Sequence, residues 1–304
     1  MPDQPRSRAL LWVVLGGGVF ALALVGMLAV VLLSLHTQDE EDGFSGFGDK
    51  IGVVDLEGVI LSPKDTVEQL RKFADDSTIK AIVLHVNSPG GGAAASEEIY
   101  REVLRIRDQK KKRIVASIET VGASGAYYVS SATNKIFADN ASIVGSIGVI
   151  AEWYNYEELI KWAKLKEITI KAGEFKDTGS PVRPMTPEER AYLQGLIDNM
   201  HTQFIHSVAV GRKMGDDQVR ALANGKVWTG EEAVPLKLVD QIGDFRAAIE
   251  DTAKSVGIKG EPTIVRSERR RQGLLELLFG DVSQYLPDPA KALQTNVGFY
   301  YLWR

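Results

Sequence analysis

The sequence contains no cysteine among its 304 residues, which excludes disulfide bonds, thiolate metal sites and a cysteine nucleophile. Histidine is scarce, with four residues, and no metal-binding helix motif or phosphate-binding P-loop is present. An excess of basic charge is also missing, since 36 Lys and Arg face 40 Asp and Glu. A nucleic-acid-binding protein needs a basic surface. We therefore predict no metal, no cofactor and no nucleic-acid partner.

Charged residues are absent from a long N-terminal stretch, residues 9–35, which is rich in Leu, Val and Ala. At about 1.5 Å per residue, a helix of this length crosses a bilayer core of about 30 Å. Arg6 and Arg8 precede the stretch and four acidic residues, 39–42, follow it. The positive-inside rule then places residues 1–8 in the cytoplasm. We predict a single-pass anchor in the cytoplasmic membrane, with the rest of the chain periplasmic or extracellular.

A cleaved signal peptide is the alternative interpretation of the same stretch. Its apolar region is usually shorter and ends at a small-residue cleavage site. The letters Ala-Leu-Ala at 21–23 fit such a site, but the apolar run continues well beyond them. The length of the run therefore favours an uncleaved anchor that contacts the lipid bilayer.

The remainder divides into a polar, Gly-rich linker at 36–49, a globular domain at 50–260 and a C-terminal extension at 261–304. Strand and helix patterns alternate in the first part of this domain, which is typical of an α/β fold with a covered, mainly parallel sheet, and a helical part follows. The predicted strands are 51–56, 81–86, 114–118, 135–137, 147–150 and 167–171. The predicted helices are 66–74, 93–107, one beginning within 122–131, 156–164, 186–210, 216–223, 229–236, 245–255 and 269–279. We expect the last residues, from about 284, to form an extended tail outside the core.

Two Gly-rich turns, at 87–92 and 121–125, each follow a buried strand and precede a helix. Helix N-termini carry unpaired backbone N–H groups, and turns at the carboxyl ends of neighbouring strands form a crevice. Glycine also lets backbone amides approach a developing oxyanion closely. The pattern fits an oxyanion hole, an anion site or simply two tight turns.

Ser124 lies in the second turn, flanked by small residues that leave its hydroxyl accessible. A serine nucleophile needs an activating base. None of the histidines is well placed, so lysine is the next candidate, because burial lowers the pKa of a lysine amine. Lys176 lies in a loop bounded by Gly and Pro, but spacing alone does not select it from the other lysines.

Five stretches, in this order along the chain, carry a family resemblance: VNSPGGG at 86–92, GASGAYY at 122–128, IVGSIGV at 143–149, KAGEFKD at 171–177 and residues 230–243. Together they resemble the bacterial signal peptide peptidase SppA family of Ser-Lys serine peptidases, in its short single-domain form. The resemblance covers about residues 50–250. It implies a crotonase/Clp-protease type of α/β sheet.

The resemblance also assigns roles to individual residues. It implies that Ser124 is the nucleophile, that Lys176 is the general base, and that Ser146 orients the lysine amine. The amides of Gly91 and Ser124 would form the oxyanion hole. It further implies a homo-octameric ring in which the serine and the lysine of one site come from adjacent protomers. The expected substrates are signal peptides and other extended apolar peptides.

Three residues depart from the family pattern, His85, Pro235 and Lys237, and none belongs to the expected site. We expect His85 to be a packed core residue. Two other functions remain open: a crotonase-type acyl-CoA enzyme, and a non-catalytic scaffold that binds apolar peptides. The apolar end at 299–303 also suggests a product-like tail that enters a neighbouring active site.

Overall fold

A computed structural model of the protein describes residues 49–266 and 299–303. The predicted anchor at 9–35 and the predicted helix at 269–279 lie outside these residues. Within the described ranges, no helix combines the length and apolar character needed to cross a bilayer.

The strands are β1 (Lys50–Glu57), β2 (Ile79–Ser88), β3 (Gly90–Gly92), β4 (Arg113–Ala123), β5 (Lys135–Ala138), β6 (Ile143–Gly145), β7 (Val227–Thr229), β8 (Gln241–Ile242), β9 (Thr263–Arg266) and β10 (Tyr300–Leu302). The helices are α1 (Lys64–Asp75), α2 (Ala93–Asp108), α3 (Gly125–Ser131), α4 (Glu157–Trp162), α5 (Pro187–Arg212), α6 (Asp216–Leu222), α7 (Gly230–Ala233) and α8 (Phe245–Ser255). A 3-10 turn covers Glu174–Asp177.

The main sheet has the order β7-β6-β4-β2-β1-β9, with β5 also paired to β4 and β8 paired to β5. Every pairing in it is parallel except that of β6 with β7. Parallel strands need crossover connections, and α1, α2 and α3 supply those between β1, β2, β4 and β5. The predicted α/β class, a mixed sheet with helices, is therefore confirmed.

Alternating side chains of the central strands bury opposite faces of the sheet. Val54 and Leu84 belong to the large cluster on the face that α1, α2 and α5 cover. Val53 and Val83, one residue away in each strand, pack instead against Ile249 of α8. Burial of each such side chain contributes about 1.5–3 kcal/mol, so both faces hold the strands in register.

The predicted start of the long helix α5 is confirmed in detail. Thr186 is its N-cap, with Pro187 at the first helical position and a capping box closed by Glu189. The Glu189 amide donates to Thr186 Oγ1 at 3.2 Å, and the Thr186 amide donates to a Glu189 carboxylate oxygen at 3.0 Å. These bonds satisfy donors that every helix start leaves free.

One long segment between the sheet and α5 has no buried residue. Residues 151–186, which we call the arm, contain α4 and the 3-10 turn, and every residue in them is exposed or half-buried. The strand predicted at 167–171 is wrong, because these residues pair with no other strand. Ile168 and Ile170, whose alternation suggested a strand, are 79% and 96% exposed.

The C-terminal residues also differ from expectation. They are extended, as predicted, but β10 pairs antiparallel with β3, and Tyr301 is only 3% exposed within the main hydrophobic core. The strand predicted at 147–150 is replaced by β6, and Ile150 keeps only an isolated bridge to Tyr300. The boundary predicted at residue 260 is followed by β9, a strand of the main sheet beside β1.

Candidate active site

Two serines end neighbouring parallel strands at the same edge of the sheet. Ala123 of β4 pairs with Gly145 of β6, so Ser124 and Ser146 are the next residues along the two strands. Both have a positive φ, 53° and 51°, which is uncommon for residues other than glycine. Such conformations cost about 1–3 kcal/mol and persist only where the surroundings enforce them.

Ser124 is the N-cap residue of α3, and it is 1% exposed. Its hydroxyl accepts no bond from the helix and makes no hydrogen bond to any residue in the described ranges. Its backbone is held on both sides, because the Ser124 amide donates to the Gly145 carbonyl at 2.7 Å and its carbonyl accepts from the Tyr128 amide at 2.8 Å. The position therefore fixes the backbone while leaving the hydroxyl unengaged.

The glycine strand β3 lies beside Ser124, and another strand covers one of its two edges. Its other edge is occupied by Ile60, which donates to the Gly90 carbonyl at 2.9 Å and accepts from the Gly92 amide at 2.8 Å. The amide and carbonyl of Gly91 point the opposite way, since hydrogen-bonding groups alternate along a strand. This edge is the one that β10 covers.

The register of β10 identifies which carbonyl reaches Gly91. The Ala93 amide donates to the Phe299 carbonyl at 3.2 Å, and the Trp303 amide donates to the Pro89 carbonyl at 2.9 Å. Hydrogen-bonded pairs in an antiparallel ladder alternate with non-bonded pairs. The pair midway between them, Tyr301 with Gly91, is therefore also a hydrogen-bonded pair, and the Gly91 amide donates to the Tyr301 carbonyl.

The opposite edge of β10 is bound as well. The amide of Tyr300 donates to the Ile150 carbonyl at 3.0 Å, and the Ile150 amide donates back at 3.1 Å. Residues 299–303 thus lie as an inserted strand between β3 and the segment that follows Ser146.

The Tyr301 carbonyl oxygen also touches the start of α3. A Cβ atom added to Gly125 would lie 3.0 Å from this oxygen and 3.2 Å from the Gly91 nitrogen. A Cβ on Gly90 would collide with the same oxygen and would lie 2.6 Å from the Gly125 nitrogen. Only glycine fits these positions, which surround one carbonyl oxygen with backbone beside Ser124.

The oxyanion hole predicted from Gly91 and Ser124 needs a correction in this geometry. The Ser124 amide is committed to the Gly145 carbonyl, so it is not free to bind an oxyanion unless that bond breaks. The Gly125 amide, one residue on, begins α3 and has no partner within the helix. Gly91 and Gly125 are the two amides that lie next to the Tyr301 carbonyl.

Ser146 is 6% exposed, and its amide donates to the Lys226 carbonyl at 2.8 Å. It lines a cavity of about 560 Å³ between the segment 146–150 and α5, which Leu302 and Trp303 also line. The tail therefore passes from Tyr301 directly into this cavity.

Lys176 lies on the 3-10 turn of the arm and is exposed. Its amine makes no hydrogen bond or ion pair with any described residue, and Lys176 does not line the cavity that Ser146 lines. Within one chain, the structure brings Ser124, Ser146 and Gly91 together but leaves Lys176 apart from them.

The turn that carries Lys176 is fixed by a cluster of ion pairs, which we call the Arg183 cluster. Arg183 binds Asp177 through Nε at 3.0 Å and Glu189 through Nη1 at 2.9 Å, and Lys171 also binds Asp177. The hydrogen bonds from Arg183 hold the pKa values of both Asp177 and Glu189 down to about 2. Both carboxylates are therefore charged at neutral pH, and the turn is tied to the first turn of α5.

The sequence reasoning missed some of these features. The apolar end at 299–303 suggested a product-like tail that enters a neighbouring active site, whereas the structure places this tail against β3 of its own chain. Nothing in the sequence pattern singled out Arg183, whose partners are six residues away on either side. No group of three or more His, Asp or Glu within the described ranges is arranged to hold a metal.

Comparisons with known proteins identify the family to which the chain belongs. The family model for peptidase family S49 matches residues 106–259, about half of the chain, which include Ser124, Ser146 and Lys176. An inferred protease of Methanocaldococcus jannaschii is 33% identical over 276 residues, which cover 86% of this chain and 87% of that protein.

Two further relatives are matched over smaller shares of their length. An inferred signal peptide peptidase SppA of Enterococcus faecium is 37% identical over 61% of this chain and 54% of that protein. Protease 4 of Haemophilus influenzae is 34% identical over 71% of this chain and 36% of that protein. The chain thus spans about half and about a third of these two relatives. It belongs to peptidase family S49, as a short, single-domain serine endopeptidase of the SppA family.

Proposed function

We propose that the protein cleaves extended peptides with Ser124 as nucleophile and Lys176 as general base. One observation carries the proposal: an extended segment lies antiparallel on β3, and its Tyr301 carbonyl meets the Gly91 and Gly125 amides beside Ser124. Residues 299–303 occupy the groove as a peptide substrate would. The carbonyl of Tyr301 marks the position of the scissile carbonyl.

The proposed reaction begins with attack by Ser124 Oγ on the carbonyl carbon, while the hydroxyl proton passes to the amine of Lys176. The Gly91 and Gly125 amides stabilise the resulting oxyanion. The C–N bond then breaks, and the leaving amine takes the proton from the Lys176 ammonium. Water, deprotonated by Lys176, finally attacks the ester carbon; the bond to Ser124 Oγ breaks, and Oγ takes the proton back from the Lys176 ammonium as the carboxylic acid leaves.

Ser146 is proposed to orient the lysine amine through its hydroxyl. Its support is its position, one residue beyond the strand pair that also presents Ser124, on the wall of a cavity large enough to admit a side chain. A hydrogen bond to a fixed group restricts the motion of the lysine side chain, so the amine stays in position to accept the proton.

We propose that Lys176 reaches Ser124 from an adjacent protomer in a homo-octameric ring, with a sheet of the crotonase/Clp-protease type. The arm supports this, because it buries none of its own residues and exposes Trp162 and Ile170 at 80% and 96%. Large exposed apolar side chains on one segment are typical of a surface that packs against a partner. The lysine lies on that same arm, and its amine has no partner among the described residues of its own chain.

We further propose that residues 9–35 anchor the enzyme in the cytoplasmic membrane, with residues 1–8 inside and the catalytic domain outside. The uncharged run and the flanking charges support this orientation. Signal peptides and other extended apolar peptides are then the proposed substrates. They are released at the bilayer, where the anchor would hold the active site.

Covalent labelling tests the catalytic assignment. The full-length protein, Ser124→Ala and Lys176→Ala are treated with a fluorophosphonate probe, and cleavage of an extended apolar peptide is followed in parallel. We expect wild type to be labelled on Ser124 and both variants to lose at least about a thousandfold in cleavage rate. Near-normal cleavage by Lys176→Ala would show that another group is the base. Unlabelled wild type together with measurable coenzyme A binding would favour the acyl-CoA enzyme instead.

A further inference from the structure

The Tyr301 side chain occupies a closed aromatic pocket beside the nucleophile. Its ring stacks on Tyr128 with centroids 5.3 Å apart and an interplanar angle of 22°. Phe204 of α5, whose own ring meets that of Tyr128 edge to face at 4.9 Å, also contacts the Tyr301 ring, with centroids 4.6 Å apart. The ring is 3% exposed, so the pocket surrounds it almost completely.

The pocket also provides for the phenol oxygen. Tyr301 Oη donates to the Met200 carbonyl at 3.1 Å. This carbonyl lies one helical turn before Phe204 in α5, so it is already an acceptor in the regular helix and uses its second lone pair for the phenol. Burial raises the pKa of Tyr301 well above its usual value, so the hydroxyl is protonated and able to donate.

The walls of the pocket are themselves fixed by hydrogen bonds. Tyr128 Oη bonds Ser207 Oγ at 2.8 Å, and Tyr100 Oη donates to the Ser207 carbonyl at 2.9 Å. The rings of Tyr100 and Tyr128 lie 4.8 Å apart. These hydrogen bonds and ring contacts restrain the aromatic side chains that form the pocket.

The pocket lies at the point of the groove where the peptide carbonyl meets the backbone amides beside Ser124. The residue whose ring fills it is the one whose carbonyl meets the Gly91 and Gly125 amides. On the proposed function, on which this inference rests, that residue supplies the acyl side of the bond that breaks. We infer that the pocket formed by Tyr128, Phe204 and the Met200 carbonyl is the primary specificity pocket and selects a tyrosine, or another six-membered aromatic ring, at this position of the substrate.

The size of the preference follows from these contacts. Loss of the whole ring removes the burial of a large apolar side chain, and the selectivity for Tyr over Ala is expected on the order of 100-fold. Loss of the hydroxyl alone is milder, because the Met200 carbonyl keeps its helical bond. The selectivity for Tyr over Phe is therefore expected to be only about twofold to tenfold.

Peptide series measure this preference with the full-length enzyme. Peptides that differ only in the residue before the cleaved bond, as Tyr, Phe, Leu or Ala, are compared by kcat/KM. We expect the order Tyr, Phe, Leu, Ala. Cleavage with no preference, or with Leu or Ala favoured, overturns the inference while leaving the proposed function intact.

A pair of matched substitutions locates the preference in the pocket. Phe204→Leu removes the ring that faces Tyr301 and is expected to lower the Tyr-to-Ala ratio by about twofold to tenfold. Phe73→Leu, at an equally buried core position in α1, leaves the ratio unchanged. The ratio compares two substrates on the same molecules, so partial unfolding of either variant does not alter it. An equal change in both variants contradicts the assignment.

A second measurement does not depend on catalysis. Hydrogen exchange at the Trp303 amide, which donates to the Pro89 carbonyl, reports whether the tail is docked. We expect Tyr301→Ala to speed this exchange at least about tenfold, and Leu302→Ala to have a smaller effect. Equal effects contradict a pocket selective for the ring. If no peptide is cleaved and Ser124 is not labelled, the proposed function fails, and this exchange experiment still decides the pocket.

Discussion

The edge of the sheet that presents Ser124 and the arm that presents Lys176 are built in opposite ways. Ser124 follows a central strand of the main sheet, its backbone is bonded on both sides, and its neighbours are fully buried. Lys176 lies in a segment without one buried residue, held by surface ion pairs and by a ring contact of Phe175 with Tyr192. The hydrophobic core of one chain thus fixes Ser124, the proposed nucleophile, whereas Lys176, the proposed base, lies on a segment without buried residues.

The difference bears on the proposal that two chains share one site. Ser124, the proposed nucleophile, is held in a strained and buried conformation by the completed fold of one chain. Lys176, the proposed base, lies on an exposed arm with apolar side chains, and the proposal places a surface of an adjacent protomer against this arm. Substitutions confined to one of the two regions test whether the difference between them has the proposed cause.

The largest effect is expected from mixing two inactive variants. If Lys176 serves the site of an adjacent protomer, Ser124→Ala and Lys176→Ala are each inactive, but a mixed assembly contains sites with both groups intact. Each variant alone is expected to cleave at least about a thousandfold more slowly than wild type. We expect co-expression of the two to restore a sizeable fraction of the wild-type rate.

The control for mixing is the double variant, in which Ser124 and Lys176 are both replaced on one chain and co-expressed with Ser124→Ala. No site in that assembly contains an intact nucleophile, so it must stay inactive. If the first mixture also stays inactive while forming mixed assemblies of unchanged mass, the base acts within its own chain.

An intermediate effect is expected at the rigid edge of the sheet. Gly125→Ala introduces a Cβ atom against Ser96 Oγ and 3.0 Å from the carbonyl oxygen in the groove. We expect displacement of the Gly125 amide to lower kcat/KM by about 100-fold, as loss of one oxyanion donor does.

Gly195→Ala is the matched control, because a Cβ at this helix position meets nothing within 4 Å. It should retain full activity and stabilise α5 by about 0.5–1 kcal/mol, measured by denaturant unfolding. Retained activity in Gly125→Ala would contradict the role given to its amide.

The smallest effect is expected in the arm. Arg183→Ala releases Asp177, the residue after Lys176, from the first turn of α5. Because the lysine is then less well positioned, we expect kcat to fall about tenfold with KM little changed, measured by steady-state peptide cleavage. Arg183→Lys should recover only part of the loss, since an ammonium does not form the bidentate contact. Arg246→Ala, which breaks an exposed ion pair on α8, should leave kcat unchanged.

The effect of Arg183→Ala on the cleavage rate is expected not to depend on pH near neutrality. The pKa values of Asp177 and Glu189 are lowered to about 2, so the stabilisation from the Arg183 cluster is complete above the unfolded-state values near 4. It is lost only as the pH falls from there toward 2. The ratio of wild-type to Arg183→Ala rates should therefore stay constant between about pH 6 and 9. A ratio that varies across this range would point to a different cause.

Much of the fold follows from patterns in the sequence that the core enforces. Buried strands such as β2 and β4, and the capped start of α5, were predicted because burial and capping impose local sequence requirements. The strand predicted at 167–171 failed for the converse reason. Its alternating apolar residues are exposed in this chain, so their pattern does not report a partner strand within it.

The candidate site was predictable to a different extent in its two parts. The glycines around Ser124 indicate tight backbone geometry, which residue types reveal. The choice of Lys176 came from the family resemblance alone, because an exposed lysine on a loop has no local signature. The position of Tyr301 could not be predicted from the sequence either. Its strand, β10, pairs with β3, which lies about 210 residues earlier in the chain, and such a contact has no local sequence pattern.

The docked C-terminal strand has a consequence for how the enzyme responds to concentration. A ligand that belongs to the same chain as its binding groove is present at a fixed effective concentration, which does not depend on the concentration of the protein. Dilution of the protein does not release it. Any external peptide binds with an apparent dissociation constant raised by the inverse of the fraction of vacant grooves. Scarce peptides would then leave the groove occupied by Tyr301, and cleavage would become appreciable only when peptides accumulate locally.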